Sequence, residues 1–129
     1  MSRPDLDSPE RLETFVRAFY ERVQRDDLLG PVFVDQAGVD WDEHITKLTA
    51  FWCAVELRIP GFHGSPTQKH SVLSQQMPFR AEQFGRWIEL FRETVDQSWQ
   101  GPHATSIKAH AERIAQIQSR VVQGAEAWE

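Results

Sequence analysis

The sequence predicts a single all-α domain. Apolar residues recur at three- and four-residue intervals in four long segments, which is the spacing of one face of an α-helix. Proline and glycine separate these segments, and none shows the apolar–polar alternation of a half-buried strand. At 129 residues the chain can bury one core but not two. We therefore expect a flexible N-terminus over residues 1–8, a helical domain over 9–123 and a C-terminal tail over 124–129.

The first helix is predicted to begin at Pro9, because Ser8 is a favourable N-cap and proline suits the first helical position. Its apolar stripe consists of Leu12, Phe15, Val16, Phe19, Tyr20 and Val23. Tyr20 lies at the edge of this stripe. Residues 28–33 then form a compact apolar turn that contains a glycine and a proline, so we expect short helical turns there.

The second helix is predicted to follow Asp40, a favourable N-cap, and to end at Pro60 and Gly61. Its stripe consists of Trp41, His44, Ile45, Leu48, Phe51, Trp52 and Val55. His44 therefore shares the inward face with apolar residues. Cys53 lies within the same helix and is expected to be a small buried side chain.

Residues 61–73 combine a glycine- and proline-rich loop with a very short helical candidate. Ser65 and Pro66 repeat the cap-and-proline pattern at its start, and His70 lies within it. A methionine–proline pair at 77–78 ends it. One histidine on a short helix between two long helices makes this stretch the centre of the functional prediction.

The third and fourth long helices are separated by Gly101 and Pro102. The third carries the strongest stripe in the chain, formed by Phe84, Trp87, Ile88, Phe91, Val95 and Trp99. The fourth carries Ala104, Ile107, Ala111, Ile114 and Val121 and is expected to end near Gly124. Together these segments predict four long helices with a short one between the second and third.

The composition narrows the class of protein. A formal charge of −5 disfavours nucleic acid as a partner, because phosphate recognition needs clustered Lys and Arg. No apolar run approaches the ~20 residues that span a bilayer, and the N-terminus has no apolar signal core. Cys53 is the single cysteine, so an intrachain disulfide is excluded. These features predict a cytoplasmic protein that does not bind membranes.

Five histidines are candidates for chemistry, and two stand out by their settings. His70 on a short helix fits an axial iron ligand, because imidazole suits iron and one histidine on a short helix is the usual proximal arrangement for haem. His44 fits a pocket residue. Each also has an ordinary interpretation: His44 as a satisfied core histidine, and His70 as a capping or surface residue. The remaining three are His63 and His103, expected at the surface, and His110, expected to bond a backbone carbonyl.

Other metal and cofactor sites are disfavoured by spacing. Carboxylate di-iron bundles need Glu-x-x-His pairs, and the sequence contains none. Zinc sites need several closely spaced cysteines and histidines, and His-Glu-x-x-His does not occur. Glycine-rich phosphate loops are also missing. Five tryptophans and eight phenylalanines suit a planar ligand but are equally typical of a core.

Four stretches in order resemble the group III truncated haemoglobins, over residues 10–122. The first is Phe-Tyr-Glu-Arg-Val at 19–23, continuing to Leu-Gly-Pro-Val-Phe at 29–33. The second is Trp-Asp-Glu-His at 41–44, with Phe-Trp at 51–52. The third is Phe-His-Gly-Ser-Pro at 62–66, with Lys-His at 69–70 and Leu73. The fourth runs from Phe84 to Phe91. One departure is Phe62, where this family commonly has tyrosine.

The resemblance implies a two-over-two helical sandwich around haem b. His70 falls at the position of the proximal iron ligand, and Tyr20, His44 and Trp87 fall at distal ligand-binding positions. Phe19 and Phe33 match aromatic residues near the haem. Further pocket-packing candidates are Leu48, Leu73 and Phe84, and the candidates for binding the haem carboxylates by their proximity to His70 are Lys69 and Arg80.

The expected function is a haem protein that binds dioxygen, nitric oxide or carbon monoxide in a polar distal pocket that holds or activates oxygen. Oxygen transport belongs to the same expectation. An alternative is an enzyme that oxidises nitric oxide or reduces peroxide with an external reductase, because the chain has no flavin or nicotinamide motif. A second alternative is a helical interaction module without a cofactor. The sequence leaves these three open.

Overall fold

A computed structural model of the protein describes residues 3–31, 41–59 and 80–127, without the side chains of Ala81 and residues 121–127. The described residues contain four α-helices: α1 (Pro9–Arg25), α2 (Trp41–Leu57), α3 (Ala81–Ser98) and α4 (Pro102–Ala127). No strand occurs in these ranges. The all-α prediction is confirmed. None of these helices is long and apolar enough to cross a membrane.

Helix α1 begins where the sequence predicts. The Ser8 hydroxyl accepts a hydrogen bond from the Arg11 backbone N–H at 3.3 Å, and Pro9 takes the first helical position. The helix ends at Arg25, and the Asp26 N–H donates to the Val23 carbonyl at 3.2 Å. All six predicted stripe residues, including Tyr20 at its edge, are buried.

Helix α2 ends before the predicted terminators. Leu57 is its last residue, and Arg58 takes a left-handed conformation with a φ of 55°. The Ile59 N–H then donates to the Cys53 carbonyl at 3.2 Å, which satisfies one of the open carbonyls of the last turn. Cys53 is buried, as predicted.

The turn between α3 and α4 is tied to the N-terminal segment. Gly101 has a φ of 137°, and a Cβ there would lie 2.5 Å from Asp5 Cγ, so only glycine fits. The Asp5 carboxylate accepts from the backbone N–H groups of His103 (3.1 Å) and Ala104 (2.8 Å) at the start of α4. Leu6 is fully buried. The sequence pattern predicted flexibility over residues 1–8, whereas one apolar side chain and one capping carboxylate attach residues 5–6 to the domain.

The core lies where α1 packs against α2 and α3, and α4 packs chiefly against α3. Aromatic rings dominate it: Phe91 lies 5.0 Å from Phe15 and 5.1 Å from Phe19, both edge-on. Trp52 of α2 lies 5.4 Å from Phe91. Helix α4 continues to Ala127, past the tail boundary predicted after residue 123.

Candidate functional site

The predicted distal residues Tyr20 and Trp87 meet at the interface between α1 and α3. Their exposed fractions are only 2% and 1%. Phe19 contacts both edge-on, with ring centroids 5.2 Å from Tyr20 and 5.8 Å from Trp87. The structure therefore brings a phenol from one helix and an indole from another into a single buried cluster supported by Phe19.

The phenol of Tyr20 is kept protonated by its surroundings. Burial raises the pKa of Tyr20, because the phenolate would lose its hydration, and the adjacent Trp87 side chain lowers that pKa by a smaller amount. The net shift is upward. Tyr20 therefore keeps an O–H that can donate a hydrogen bond at any physiological pH.

The indole N–H of Trp87 is buried without an acceptor. The Trp87 side chain lies within hydrogen-bonding reach of the Tyr20 hydroxyl, which lowers the pKa of Tyr20, but Nε1 has no partner of good hydrogen-bond geometry among the residues that the structure describes. A buried N–H left unpaired costs about 1–3 kcal/mol, and native proteins tolerate few of them. Nε1 is thus a donor in an apolar interior. Such a donor suits a site where a bound molecule supplies the hydrogen-bond acceptor.

The third predicted distal residue, His44, lies on the first turn of α2. Its imidazole is half-buried, and its ring centroid lies 5.6 Å from that of Trp41 at 45°. Trp41 itself packs against the edge of the core. His44 is therefore at the boundary between the interior and solvent, whereas Tyr20 and Trp87 are fully inside.

The predicted packing and carboxylate-binding residues are only partly within the described ranges. Phe19, Leu48 and Phe84 are buried in the same core. Arg80 is exposed at the N-cap of α3, and its backbone N–H donates to the Gln83 side chain at 2.7 Å. The remaining predicted site residues, His70, Phe33, Lys69 and Leu73, lie outside the described residues, so their roles stay predictions. The predicted loop and short helix over residues 61–73 also lie outside the described residues.

Sequence reasoning missed a polar cluster between α2 and α4. Glu56, whose side chain is 2% exposed, accepts hydrogen bonds from His103 Nδ1 (3.0 Å), His110 Nδ1 (2.9 Å) and Ser106 Oγ (3.2 Å). His103 lies at the surface as expected, with 37% of its side chain exposed, although its ring also bonds this carboxylate. The expectation of a carbonyl-bonded His110 was wrong, because its partner is Glu56. Their spacing on one face of α4 was the available signal, but nothing local pointed to Glu56.

This cluster does not form a metal site. Within the parts of the chain that the structure describes, no group of three His, Cys, Asp or Glu side chains is placed to hold a metal ion. The two imidazoles bond Glu56 through Nδ1, and they lie seven residues apart, or about 10 Å along the helix. The arrangement provides hydrogen-bond partners for a buried carboxylate and connects the end of α2 to α4.

Comparison with known proteins places the chain in a family. No protein-family model matches it. The chain is 32% identical over 109 residues to the group 3 truncated hemoglobin ctb of Campylobacter jejuni, covering 82% of this chain and 84% of that protein. The chain belongs to the group III truncated haemoglobins. The crystal structure of a group III truncated hemoglobin from Campylobacter jejuni superposes with a TM-score of 0.73 at 29% identity, covering 89% of this chain and 91% of that one.

This truncated haemoglobin is a globin-type haem protein with an all-α fold. The geometry described above fits a haem in two respects. Phe19 provides buried apolar surface in contact with both donors, and Leu48 and Phe84 are buried in the same core. The Trp87 N–H provides a buried donor that has no acceptor among the residues that the structure describes.

Proposed function

We propose that this truncated haemoglobin binds dioxygen and other diatomic ligands, nitric oxide and carbon monoxide among them, at a haem b in a polar distal pocket. His70 would hold the iron, Phe33 and Leu73 would complete the apolar wall, and Lys69 and Arg80 would bind the haem carboxylates. Haem supplies an iron with one open axial position and the electronic means to bind a diatomic ligand. The protein supplies the donors and the dry surroundings.

The observation that carries the proposal is the unpartnered, buried Trp87 Nε1 beside a protonated Tyr20. A diatomic ligand that gains negative charge on binding offers the acceptor that both groups suit. Each hydrogen bond in such a site contributes about 0.5–1.5 kcal/mol net. At 1.4 kcal/mol per factor of ten, each donor slows ligand release by roughly two- to tenfold.

Two donors of this kind favour retention or activation of oxygen over its rapid delivery. Release slowed by about one to two orders of magnitude suits a protein that keeps its ligand. His44, at the edge of the interior, is proposed to line the outer side of the pocket. The proposal therefore favours retention or activation of oxygen over oxygen transport.

The first test is an absorption spectrum of the purified chain expressed with haem supplied. We expect an intense haem band, a haem b pyridine haemochrome, and loss of stable iron coordination in His70→Ala. A purified protein without a haem band would overturn the proposal in favour of a helical interaction module.

The second test measures dioxygen release by stopped-flow absorbance. Tyr20→Phe and Trp87→Phe should each release ligand about two to ten times faster, because each removes one donor and keeps the ring. Trp99→Phe is the matched control, since Trp99 is only partly buried at the C-cap of α3. Equal rates in all four proteins would refute the donor assignment.

The donor pair also favours one catalytic alternative. Donors that stabilise negative charge on oxygen would assist oxidation of nitric oxide by bound oxygen, with an external reductase returning the electrons. Repeated consumption of nitric oxide in the presence of a reductase, lost in Tyr20→Phe, would establish this activity. Consumption of one equivalent only would leave ligand binding as the function.

A further inference from the structure

An ion pair joins the end of α1 to α3, the two helices that carry the donor cluster. Arg86 donates to Asp26 Oδ1 through Nε at 2.9 Å and through Nη2 at 2.8 Å. The Asp26 side chain is only 7% exposed, and Arg86 is about one third exposed. The pair is thus shielded far more than an ordinary surface ion pair, and two guanidinium nitrogens fix its geometry.

Asp26 also shapes the turn that follows α1. Its second oxygen, Oδ2, accepts from the backbone N–H groups of Leu28 (3.1 Å) and Leu29 (3.0 Å). The Asp26 carbonyl accepts from Gly30 N at 2.8 Å, and a Cβ at Gly30 would lie 2.5 Å from the Gln24 carbonyl oxygen. One carboxylate therefore joins three parts: the end of α1, the turn after it, and α3.

The balance of effects on Asp26 favours the charged form. Burial alone would raise the pKa of Asp26. The hydrogen bonds from Arg86, Leu29 and Leu28 lower this pKa by more than burial raises it, so the net pKa is below the usual value. The carboxylate is therefore ionised at neutral pH, and the contact with Arg86 is a true ion pair.

One member of the pair is next to a distal donor in the chain, and the other lies six residues from the second donor. Arg86 directly precedes Trp87, and Asp26 follows Tyr20 by six residues, or about 9 Å of helix. The other described contacts between α1 and α3 are apolar ring contacts such as Phe19 with Trp87, and one exposed hydrogen bond from Arg22 to the Gln97 side chain. Apolar burial is non-directional and permits small sliding movements, whereas a two-nitrogen ion pair restricts both distance and angle.

We propose that Asp26 and Arg86 are positioning residues that fix the Tyr20 hydroxyl relative to Trp87 Nε1. The inference rests on the proposed function for one point only, namely that the two donors bind the same ligand. Hydrogen bonds weaken steeply with misalignment, so a loosened α1–α3 contact would weaken the donors without removing either.

The test exploits the fact that Tyr20 is the only tyrosine in the chain. Full-length protein labelled with 3-fluorotyrosine gives one ¹⁹F resonance that reports the surroundings of this phenol. Asp26→Asn keeps the side-chain shape and one oxygen for the turn but removes the charge that pairs with Arg86 across the two helices, whereas Glu89 pairs with Arg86 within α3 at 2.6 Å. We expect a shifted and broadened resonance in both the haem-free and the carbon monoxide-saturated protein, and the same result for Arg86→Gln.

The matched control is Asp96→Asn. It breaks the Lys108–Asp96 ion pair (2.6 Å) between α3 and α4, which does not involve α1. We expect an unchanged resonance and an unchanged release rate. Asp26→Asn should release ligand about two to five times faster, less than removal of a donor outright, and the change should shrink in a Tyr20→Phe background.

The outcomes separate the two proposals. If Asp26→Asn and Arg86→Gln leave the resonance unchanged, or if Asp96→Asn shifts it equally, the positioning role is refuted. If the resonance shifts but Tyr20→Phe does not change ligand release, positioning stands and the distal-donor function fails. Should Asp26→Asn not fold, Arg86→Lys provides the test, since it keeps the charge but loses the paired nitrogens, and it should shift the resonance less than Arg86→Gln.

Discussion

Replacing Phe19 by leucine tests whether the aromatic cluster supports the distal donors as well as the fold. Phe19 is fully enclosed, and its ring contacts four others at centroid distances of 5.1 to 6.0 Å. Three of these contacts, to Tyr20, Trp87 and Phe91, are edge-to-face. Among the ring contacts that the structure describes, Phe19 is the one that joins both proposed donors.

The magnitude follows from the lost contacts. Truncation of a buried phenylalanine to alanine costs about 3–5 kcal/mol, and each edge-to-face pair contributes about 0.5–1.5 kcal/mol beyond burial. Leucine retains most of the apolar volume, so we expect Phe19→Leu to lower the unfolding free energy by about 1–3 kcal/mol. A domain with about 5–15 kcal/mol of stability should remain folded.

The assay combines urea unfolding with dioxygen release. Phe15→Leu is the matched control: Phe15 is equally buried and contacts Phe19 and Phe91, but no described ring contact joins it to Tyr20 or Trp87. Both variants should lose similar stability, but only Phe19→Leu should also speed ligand release, by about two- to fivefold. Equal acceleration in both variants would refute a local supporting role for Phe19.

Further expectations concern the polar links of the fold. The pKa of Asp5 is lowered, because hydrogen bonds from three backbone N–H groups outweigh its burial, and that of Asp26 is lowered for the reasons given above. A lowered folded-state pKa gives stability that is present above the unfolded pKa of about 3.9 and is lost as pH falls through the folded value. Urea midpoints should therefore fall as the pH drops below about 5, and less steeply in Asp5→Asn; an equal slope would contradict this. Gly101→Ala should cost about 1–3 kcal/mol of unfolding free energy, because it requires a strained φ and displaces Asp5; a thermal midpoint within a degree of the parent would contradict it. Glu56→Gln should cost about 1–2 kcal/mol, since an amide leaves one imidazole donor without its acceptor, and chemical unfolding measures it; an unchanged midpoint would show that the histidines find other partners.

The helices were predictable because their signals are local. Ser8 and Pro9 mark the start of α1, and the three- and four-residue spacing of apolar side chains marks each buried face. The burial of Tyr20 and Trp87 followed from the same spacing. The end of α2 was not predictable in this way. Arg58 ends the helix in a left-handed conformation, which a glycine would ordinarily mark in the sequence.

The polar links were not predictable, because they join residues far apart in the chain. Asp26 and Arg86 are separated by 60 positions, and Glu56 and His110 by 54. A charged residue at a helix end is ordinarily solvated, and only the relative placement of two helices turns it into a buried partner. That placement depends on packing of whole helices, which local spacing does not encode.

The link between Asp5 and the start of α4 has a consequence for how the chain folds during synthesis. Its partner His103 follows 98 residues later. At roughly 5–20 residues per second, the ribosome takes about 5–20 s to supply that partner. Helix α1 emerges early, but the segment before it cannot dock until nearly the whole chain has been made. Contacts of such long sequence separation also slow folding in general, so closure of the N-terminal segment over the α3–α4 turn is expected to be a late step.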